Sequence, residues 1–181
     1  VVEWKSAGEN GAESKSVLTV EDLTIARGGM YVVSGNMSSG KSSLLLALAA
    51  EVCRGSGHRL RALHVNHGLQ AASSAFERHC QRLCEHQGVP LTIERVTVDG
   101  QGGGVEAAAR RARYAAFAEH LQPGAVLFSA QHRDDQAETL LFRLLRGAGV
   151  RGLAAMPGQR RLGRGTLLRP LLDCSRAELQ G

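Results

Sequence analysis

The chain has 181 residues, 43% apolar and 22% charged, enough for one domain with a buried core. Lys and Arg outnumber Asp and Glu by 22 to 17, and the net charge of +5 favours anionic partners such as nucleotides or RNA. No apolar run is long enough to span a bilayer, the first residues carry no signal-peptide h-region, and the four cysteines form no disulfide framework; a cytoplasmic protein is the simplest expectation.

Residues 1–28 are polar and glycine-containing, and are expected to form a strand-rich or flexible N-terminal extension before an α/β domain over residues 29–181. "GMYVVSG" reads as a short buried strand ending in a glycine turn. "KSSLLLALAAEVCR" reads as a helix with Leu44, Leu45, Leu48 and Val52 on one face. "LRALHVNHG" is a second strand and turn. Phe76, Cys80, Leu83 and Cys84 form the apolar stripe of a helix from Ser74 to Gln87, stopped by Gly88. "PLTIERVTV" is a third strand, "DGQGGG" a loop, and "VEAAARRARYAAFAEHL" an alanine-rich helix. "AVLFSAQH" is a fourth strand. "DDQAETLLFRLLRGAG" is a helix expected to turn Leu140, Leu141, Leu144 and Leu145 inward. The tail beyond Val150 is rich in Gly and Arg, with one short strand expected at "TLLRPLL".

Strand and helix alternate, which predicts a parallel sheet with helices on both faces, a Rossmann-like arrangement. Ligands of such sheets sit outside the carboxyl ends of the strands. The clusters "SGNMSSGKS", "HVNHG" and "SAQHRDD" all fall there and are expected to share one cleft.

In the first cluster, Gly35, Gly40, Lys41 and Ser42 complete a Walker A pattern between a strand and a helix. Backbone amides over Gly35, Asn36, Ser38, Ser39 and Gly40 would cradle phosphates, Lys41 would reach the β- and γ-phosphates, and Ser42 would hold Mg²⁺. A hydrolysing P-loop enzyme also needs an acid at the end of an apolar strand, and "AVLFSAQH" ends in Ala-Gln-His. His79, Cys80, Cys84 and His86 suggest metal spacing, but both cysteines lie on the apolar stripe, so core packing is expected. Arg110, Arg113 and Tyr114 neighbour one another on a helix, either as a grip for phosphate or RNA or as a solvated basic face. Asp134, Asp135 and Glu138 open the next helix, as caps or as ligands of Mg²⁺ and substrate.

From Leu60 to Glu178 the chain resembles the N-terminal catalytic domain of the tRNA(Ile)-lysidine synthetase family. The resemblance rests on "LRALHVNHGLQ", "HCQRLCEHQGVPLTIERV", "GVEAAARRARYAAFAEHL", "LFSAQHRDDQAETLLFRLLRGAGVRGLAAMP" and "LLRPLLDCSRAEL", in family order and spacing. It implies an adenine nucleotide α-hydrolase-like fold and PP-loop ATP pyrophosphatase chemistry. ATP and Mg²⁺ would adenylate the C2 carbonyl oxygen of cytidine 34 in the tRNA(Ile) anticodon, and the ε-amine of free L-lysine would displace AMP. It further implies that Ser34, Gly35 and Ser39 hold pyrophosphate, that Arg110 and Arg113 contact ATP or tRNA, and that His64, His67 and Gly68 line the nucleotide pocket. His132, Asp134, Asp135 and Glu138 would serve ATP, the metal (through Asp134, with Ser42) and the cytidine.

The family's S-G-G-x-D-S is here Ser34-Gly35-Asn36-Met37-Ser38-Ser39, followed by Gly40-Lys41-Ser42. Ser38 stands where the family has its Mg²⁺-placing aspartate, which implies impaired adenylation unless Asp134 or Asp135 holds the metal. The family continues beyond "SRAEL", so a truncated domain is expected. Before about Cys53 the chain resembles the start of an ABC-transporter nucleotide-binding domain, with Trp4 as the aromatic that stacks on adenine. An ABC-ATPase-like Walker A module is therefore the alternative function. The sequence sets no oligomeric state.

Overall fold

Strand residues two apart fall on the same face of a sheet, and the central strands divide their apolar residues accordingly. In β2 (Arg59–Asn66), Leu60 and Ala62 join one core while Leu63 and Val65 join the other. In β4 (Val126–Ser129), Val126 and Phe128 face the first core and Leu127 the second. The computed structural model describes residues 29–34, 40–56, 58–69, 73–98, 104–149 and 153–180. The remaining elements are β1 (Gly29–Ser34), α1 (Lys41–Ser56), α2 (Ser73–Gln87), β3 (Leu91–Arg95), α3 (Val105–His120), α4 (Arg133–Leu145), β5 (Gln159–Leu162), β6 (Gly165–Leu168) and α5 (Arg176–Gln180).

The sheet order is β3-β2-β1-β4-β6-β5, parallel throughout except for the antiparallel β5–β6 pair. Helices α1 and α2 contribute Leu45, Leu46, Ala49, Ala50, Cys53 and Cys84 to the first core. Helix α3 contributes Ala116 and Phe117 to the second. This is the expected α/β fold, with helices on both faces of a mostly parallel sheet. Ser34 lies level with His64 and Val33 with Ser129, so β1, β2 and β4 end together at one edge. β1 has β2 on one side and β4 on the other, so the chain reverses its direction of travel across the sheet there, the usual place for a ligand crevice.

Three expectations need correction. The buried face of α1 is Ser42, Leu45, Leu46, Ala49, Ala50 and Cys53, with Leu44, Leu48 and Val52 only half-buried. Small Ala and Cys side chains let this face approach the sheet closely, which a count of leucines does not detect. Three of the four α4 leucines do not turn inward: Leu141, Leu144 and Leu145 are exposed, Leu145 by 84%, while Leu140 is half-buried, and α4 buries no residue. Its attachments are polar instead. Gln136 pairs with the Met156 backbone through two hydrogen bonds (2.7 and 2.8 Å), and Arg143 donates to the Ala155 carbonyl at 2.7 Å. We therefore expect Leu145→Lys to change stability by less than about 0.5 kcal/mol in urea unfolding, as at other exposed sites. Finally, the tail holds a hairpin rather than one strand, because polar "QRRL" forms β5 at the sheet edge.

That hairpin fits tightly. A Cβ at Gly165 would stand 2.5 Å from the Ala125 carbonyl oxygen, and one at Gly163, where φ is +55°, would stand 2.8 Å from that of Ala118. Gly165→Ala is expected to lower stability by about 1–3 kcal/mol through overpacking against backbone. The shift in urea midpoint measures it.

Candidate active site

The loop after β1 delivers α1 to the strand-end edge. Gly40 takes φ +70°, a conformation open to glycine, and Lys41 then begins the helix. The loop after β4 delivers α4, whose N-cap is His132. The His132 backbone N–H donates to Asp135 Oδ2 at 2.9 Å, and its ring Nδ1 also hydrogen-bonds that oxygen. The Lys41 ammonium lies against the His132 ring, 3.0 Å from Nε2 and 3.3 Å from Nδ1. Lys41 Nζ is also 3.8 Å from Asp135 Oδ2. The structure thus joins Lys41, His132 and Asp135 into one chain, with Asp134 Oδ2 3.8 Å from His132 Nε2. Arg133 secures this turn to the segment before α5: its backbone N–H donates to the Cys174 carbonyl at 2.9 Å and its side chain to that of Asp173.

A second group forms after β2. Arg113 of α3 donates through Nε to His67 Nε2 at 3.1 Å, which places the His67 proton on Nδ1. That buried Nδ1 has no hydrogen-bond partner among the described residues. Burial pulls Arg113 below the ordinary arginine range, and no carboxylate pairs with it among the described residues. A half-buried cation without a counter-charge is costly unless an anion arrives to match it. His64, 7% exposed, turns into the α2 layer, with Nδ1 3.6 Å from Cys80 Sγ.

Burial, then the Arg113 charge, holds His67 below the ordinary histidine value of 6.5; burial does the same for His64 against the opposing pull of Glu77. Both are therefore neutral when folded and take up protons more readily when unfolded. Their contribution to stability is complete above about 6.5 and is lost as pH falls through their lowered folded values. We expect the urea midpoint to fall between about pH 7.5 and about pH 5.5, and His64→Gln to flatten that fall. Glu77 acts in a separate window. Hydrogen bonds from Arg95 and Asn66 hold it below its ordinary 4.5, so its contribution fades only in stronger acid.

Arg110 and Arg113, expected to act together, face different neighbours. Arg110 lies against the Tyr114 ring, 5.3 Å from its centroid, and lines a cleft between α3 and α4. This cleft of about 510 Å³ carries carboxylates from Glu106, Asp135 and Glu138 and guanidinium groups from Arg110, Arg143 and Arg146. Behind Arg110, Arg160 also stacks on Tyr114 at 4.8 Å, and buried Arg169 donates to the Tyr114 hydroxyl at 3.3 Å. Burial alone would raise the Tyr114 phenol, but the Arg169 and Arg110 charges and the Arg169 and Arg160 hydrogen bonds outweigh it and set a net value below the ordinary one.

Of the other expected site residues, Ser42 is buried beside Leu46, Ala62, Cys80 and Leu83. Gly35, Asn36, Ser38 and Ser39 lie outside the described residues, as does Trp4; Ser34 closes β1. Cys80 and Cys84 are buried core residues, 2% and 3% exposed.

The family described as a PP-loop domain matches residues 27–181, a span that takes in both the loop and the strand-end clusters. The chain belongs to the PP-loop ATP-binding family.

This PP-loop domain is similar to the tRNA(Ile)-lysidine synthases of Pseudomonas putida (60% identity over 140 residues, 77% of this chain and 33% of that protein) and Pseudomonas aeruginosa (53% over 169 residues, 93% and 37%). A more distant relative, from Coxiella burnetii, is 40% identical over 178 residues, 98% of this chain and 39% of that protein. The chain thus spans about a third of the length of these curated relatives. Among solved structures it is similar to the U34-tRNA thiolase NcsA from Methanococcus maripaludis, with TM-score 0.65, 17% identity, and 84% of this chain and 54% of that one covered. At that identity the likeness speaks for the adenine nucleotide α-hydrolase-like fold. The PP-loop match starts upstream of the Walker-like loop, so the ABC-ATPase alternative is not favoured.

Several residues of this PP-loop site were not legible in the sequence. Arg169 and Arg160 come from the β5–β6 hairpin, and Gln131 accepts a hydrogen bond from Arg169 Nε. Glu77 lies mid-helix yet is 9% exposed. It accepts bonds from Asn66 Nδ2 at 2.7 Å and from Arg95 at 2.8 and 3.0 Å, which fix the ends of β2 and β3. An acidic residue beside an apolar stripe was the available signal.

Proposed function

We propose that this domain is the ATP-using part of a tRNA(Ile)-lysidine synthase, a carbon–nitrogen ligase that adenylates the C2 carbonyl oxygen of cytidine 34 in the tRNA(Ile) anticodon, releasing pyrophosphate, and joins the ε-amine of free L-lysine to C2 with loss of AMP. The observation that carries the reading is the pairing, at one sheet edge, of two cationic centres with a cleft of mixed charge. Lys41 and Arg113 provide positive charge near the reversal point, suited to nucleotide phosphates. The neighbouring cleft offers Glu106, Asp135 and Glu138 to the ammonium groups of a lysine zwitterion and Arg110 to its carboxylate. The chemistry explains the need for both. The carbonyl oxygen of cytidine is a poor leaving group and AMP a good one, so charge developing on the α-phosphate must be stabilised before an amine can displace it. Arg110 and Arg160, stacked on Tyr114, form a cationic surface suited to the tRNA backbone.

Residues 29–181 are the ATP-binding unit in this reading and residues 1–28 an extension. No described helix is long and apolar enough to cross a membrane, and Cys53, Cys80, Cys84 and Cys174, none of them in a disulfide, suit a cytoplasmic setting.

Of the two residues expected to hold Mg²⁺, Asp134 is open to a phosphate-bound ion, its carboxylate 45% exposed, and Ser42 is not. No group of three or more His, Cys, Asp or Glu residues gathers for a metal among them. Ser42 is buried in the apolar layer, and Asp135 Oδ2 already serves His132 and Lys41. No step is therefore routed through a metal held by these residues.

Labelled L-lysine tests the proposal. With ATP, incorporation is expected into tRNA(Ile) carrying cytidine 34 and not into the same tRNA with that base replaced. Absence of incorporation into either tRNA contradicts it.

A further inference from the structure

We infer that the Lys41 ammonium takes the position beside Asp135 where a divalent cation would otherwise sit, so that the site receives nucleotide phosphate without a metal ion at Asp135. The inference rests on the nucleotide-binding reading above and concerns how that site is charged.

Four observations carry it. Lys41 is the first residue of α1, whose first turn holds no acid. A cation there opposes the helix dipole, so a partner must hold it in place. The partner is the first turn of α4, where Lys41 Nζ reaches His132 Nε2 at 3.0 Å and Asp135 Oδ2 at 3.8 Å. Lys41 and His132 are largely enclosed, with side-chain exposures of 17% and 4%, while Asp135 is 34% exposed. Asp135 Oδ2 also hydrogen-bonds the His132 backbone N–H and Nδ1, in addition to its ion pair with Lys41.

Mg²⁺ demands close, nearly octahedral oxygen ligation. At Asp135 Oδ2 it would have to displace these His132 donors and approach an ammonium of like sign 3.8 Å away. Lys41, in contrast, carries three N–H donors and rests against the His132 ring on one side, which leaves N–H groups for a phosphate oxygen. The amino ends of both α1 and α4 lie at the same edge and add positive potential. Lys41 is thus a built-in counter-ion. Asp135 and His132 aim it, and its charge is already present before nucleotide arrives.

The test is ATP binding to the full chain, measured by calorimetry in EDTA and in Mg²⁺. The wild-type dissociation constant is expected to agree within about threefold between the two buffers, and Lys41→Met to weaken binding in EDTA by at least about tenfold. Lys41→Asp is expected to bind ATP only with Mg²⁺ present. Wild-type binding that disappears in EDTA overturns this inference and leaves nucleotide binding standing. No ATP binding in either buffer overturns both. The wild-type comparison needs no variant, so a variant that fails to fold does not blunt it.

Discussion

Arg113→Met is expected to weaken ATP binding by about tenfold to a hundredfold while leaving the protein as stable as wild type, or slightly more so. The opposed signs follow from one fact. Arg113 is drawn below the ordinary arginine range by burial, donates to a neutral His67, and has no carboxylate partner among the described residues. Met keeps the apolar stem of the side chain and removes the desolvated charge, so folding loses little. Phosphate binding loses a charge-assisted donor already in place. A protein in which Arg113 served only the fold would show the reverse pattern: a lower urea midpoint and unchanged nucleotide affinity. Isothermal titration with ATP and urea unfolding of the same preparation separate the two.

Asp135→Asn is expected to reduce tRNA-dependent pyrophosphate release by about 10²–10³-fold, the usual loss when one preorganised electrostatic group is removed. Asp135 is a positioning residue in this respect. Its Oδ2 caps α4 by accepting the His132 N–H, orients the His132 ring, and lies 3.8 Å from Lys41. The amide keeps the shape but gives up the charge that holds Lys41. Some stability is lost as well, about 1 kcal/mol for a weakened cap. Asp134→Asn is the control, because the Asp134 carboxylate is 45% exposed and its contact within the cluster is one 3.8 Å approach to His132. A similar loss in both variants would place the effect in the general acidity of the turn rather than in the Lys41–His132–Asp135 linkage.

How much of this was legible in sequence differs from element to element. β2 and β4 announce themselves because residues two apart share a face, and "LRALHV" and "VLF" leave little choice. The strand-end location of "HVNHG" and "SAQHRDD" follows from alternation alone, and both clusters do stand at the edge where β1, β2 and β4 end. Periodicity is silent on what covers an apolar face. It shows that α4 has one, with Leu141, Leu144 and Leu145, but these side chains are exposed and α4 is tethered by Gln136 and Arg143. Periodicity also misjudges rotation when small residues pack, as at Ala49, Ala50 and Cys53 of α1. Edge strand β5 was missed because "QRRL" carries one apolar residue, Leu162, which is buried; the backbone pairing with β6 supplies the rest.

The site shows the same division. That Lys41 and the acids of α4 would meet was legible, because both belong to strand-end loops. That Lys41 would rest against the His132 ring was not, because the ring is set in place by its bond to Asp135 in the folded turn. The sequence places Arg110 and Arg113 on one helix three residues apart, yet Tyr114 receives the first and His67 the second. Arg169 depends entirely on tertiary placement: buried, it serves Gln131, the Pro157 carbonyl and Tyr114, which come from three different segments.

The bond cleaved in ATP tests the central claim most directly. ATP labelled on the α-phosphate, incubated with the protein, L-lysine and tRNA(Ile), is predicted to yield labelled AMP, with pyrophosphate in equal amount and only when tRNA is present. Labelled ADP with inorganic phosphate, formed with or without tRNA, would contradict the PP-loop ligase account and restore the Walker A alternative.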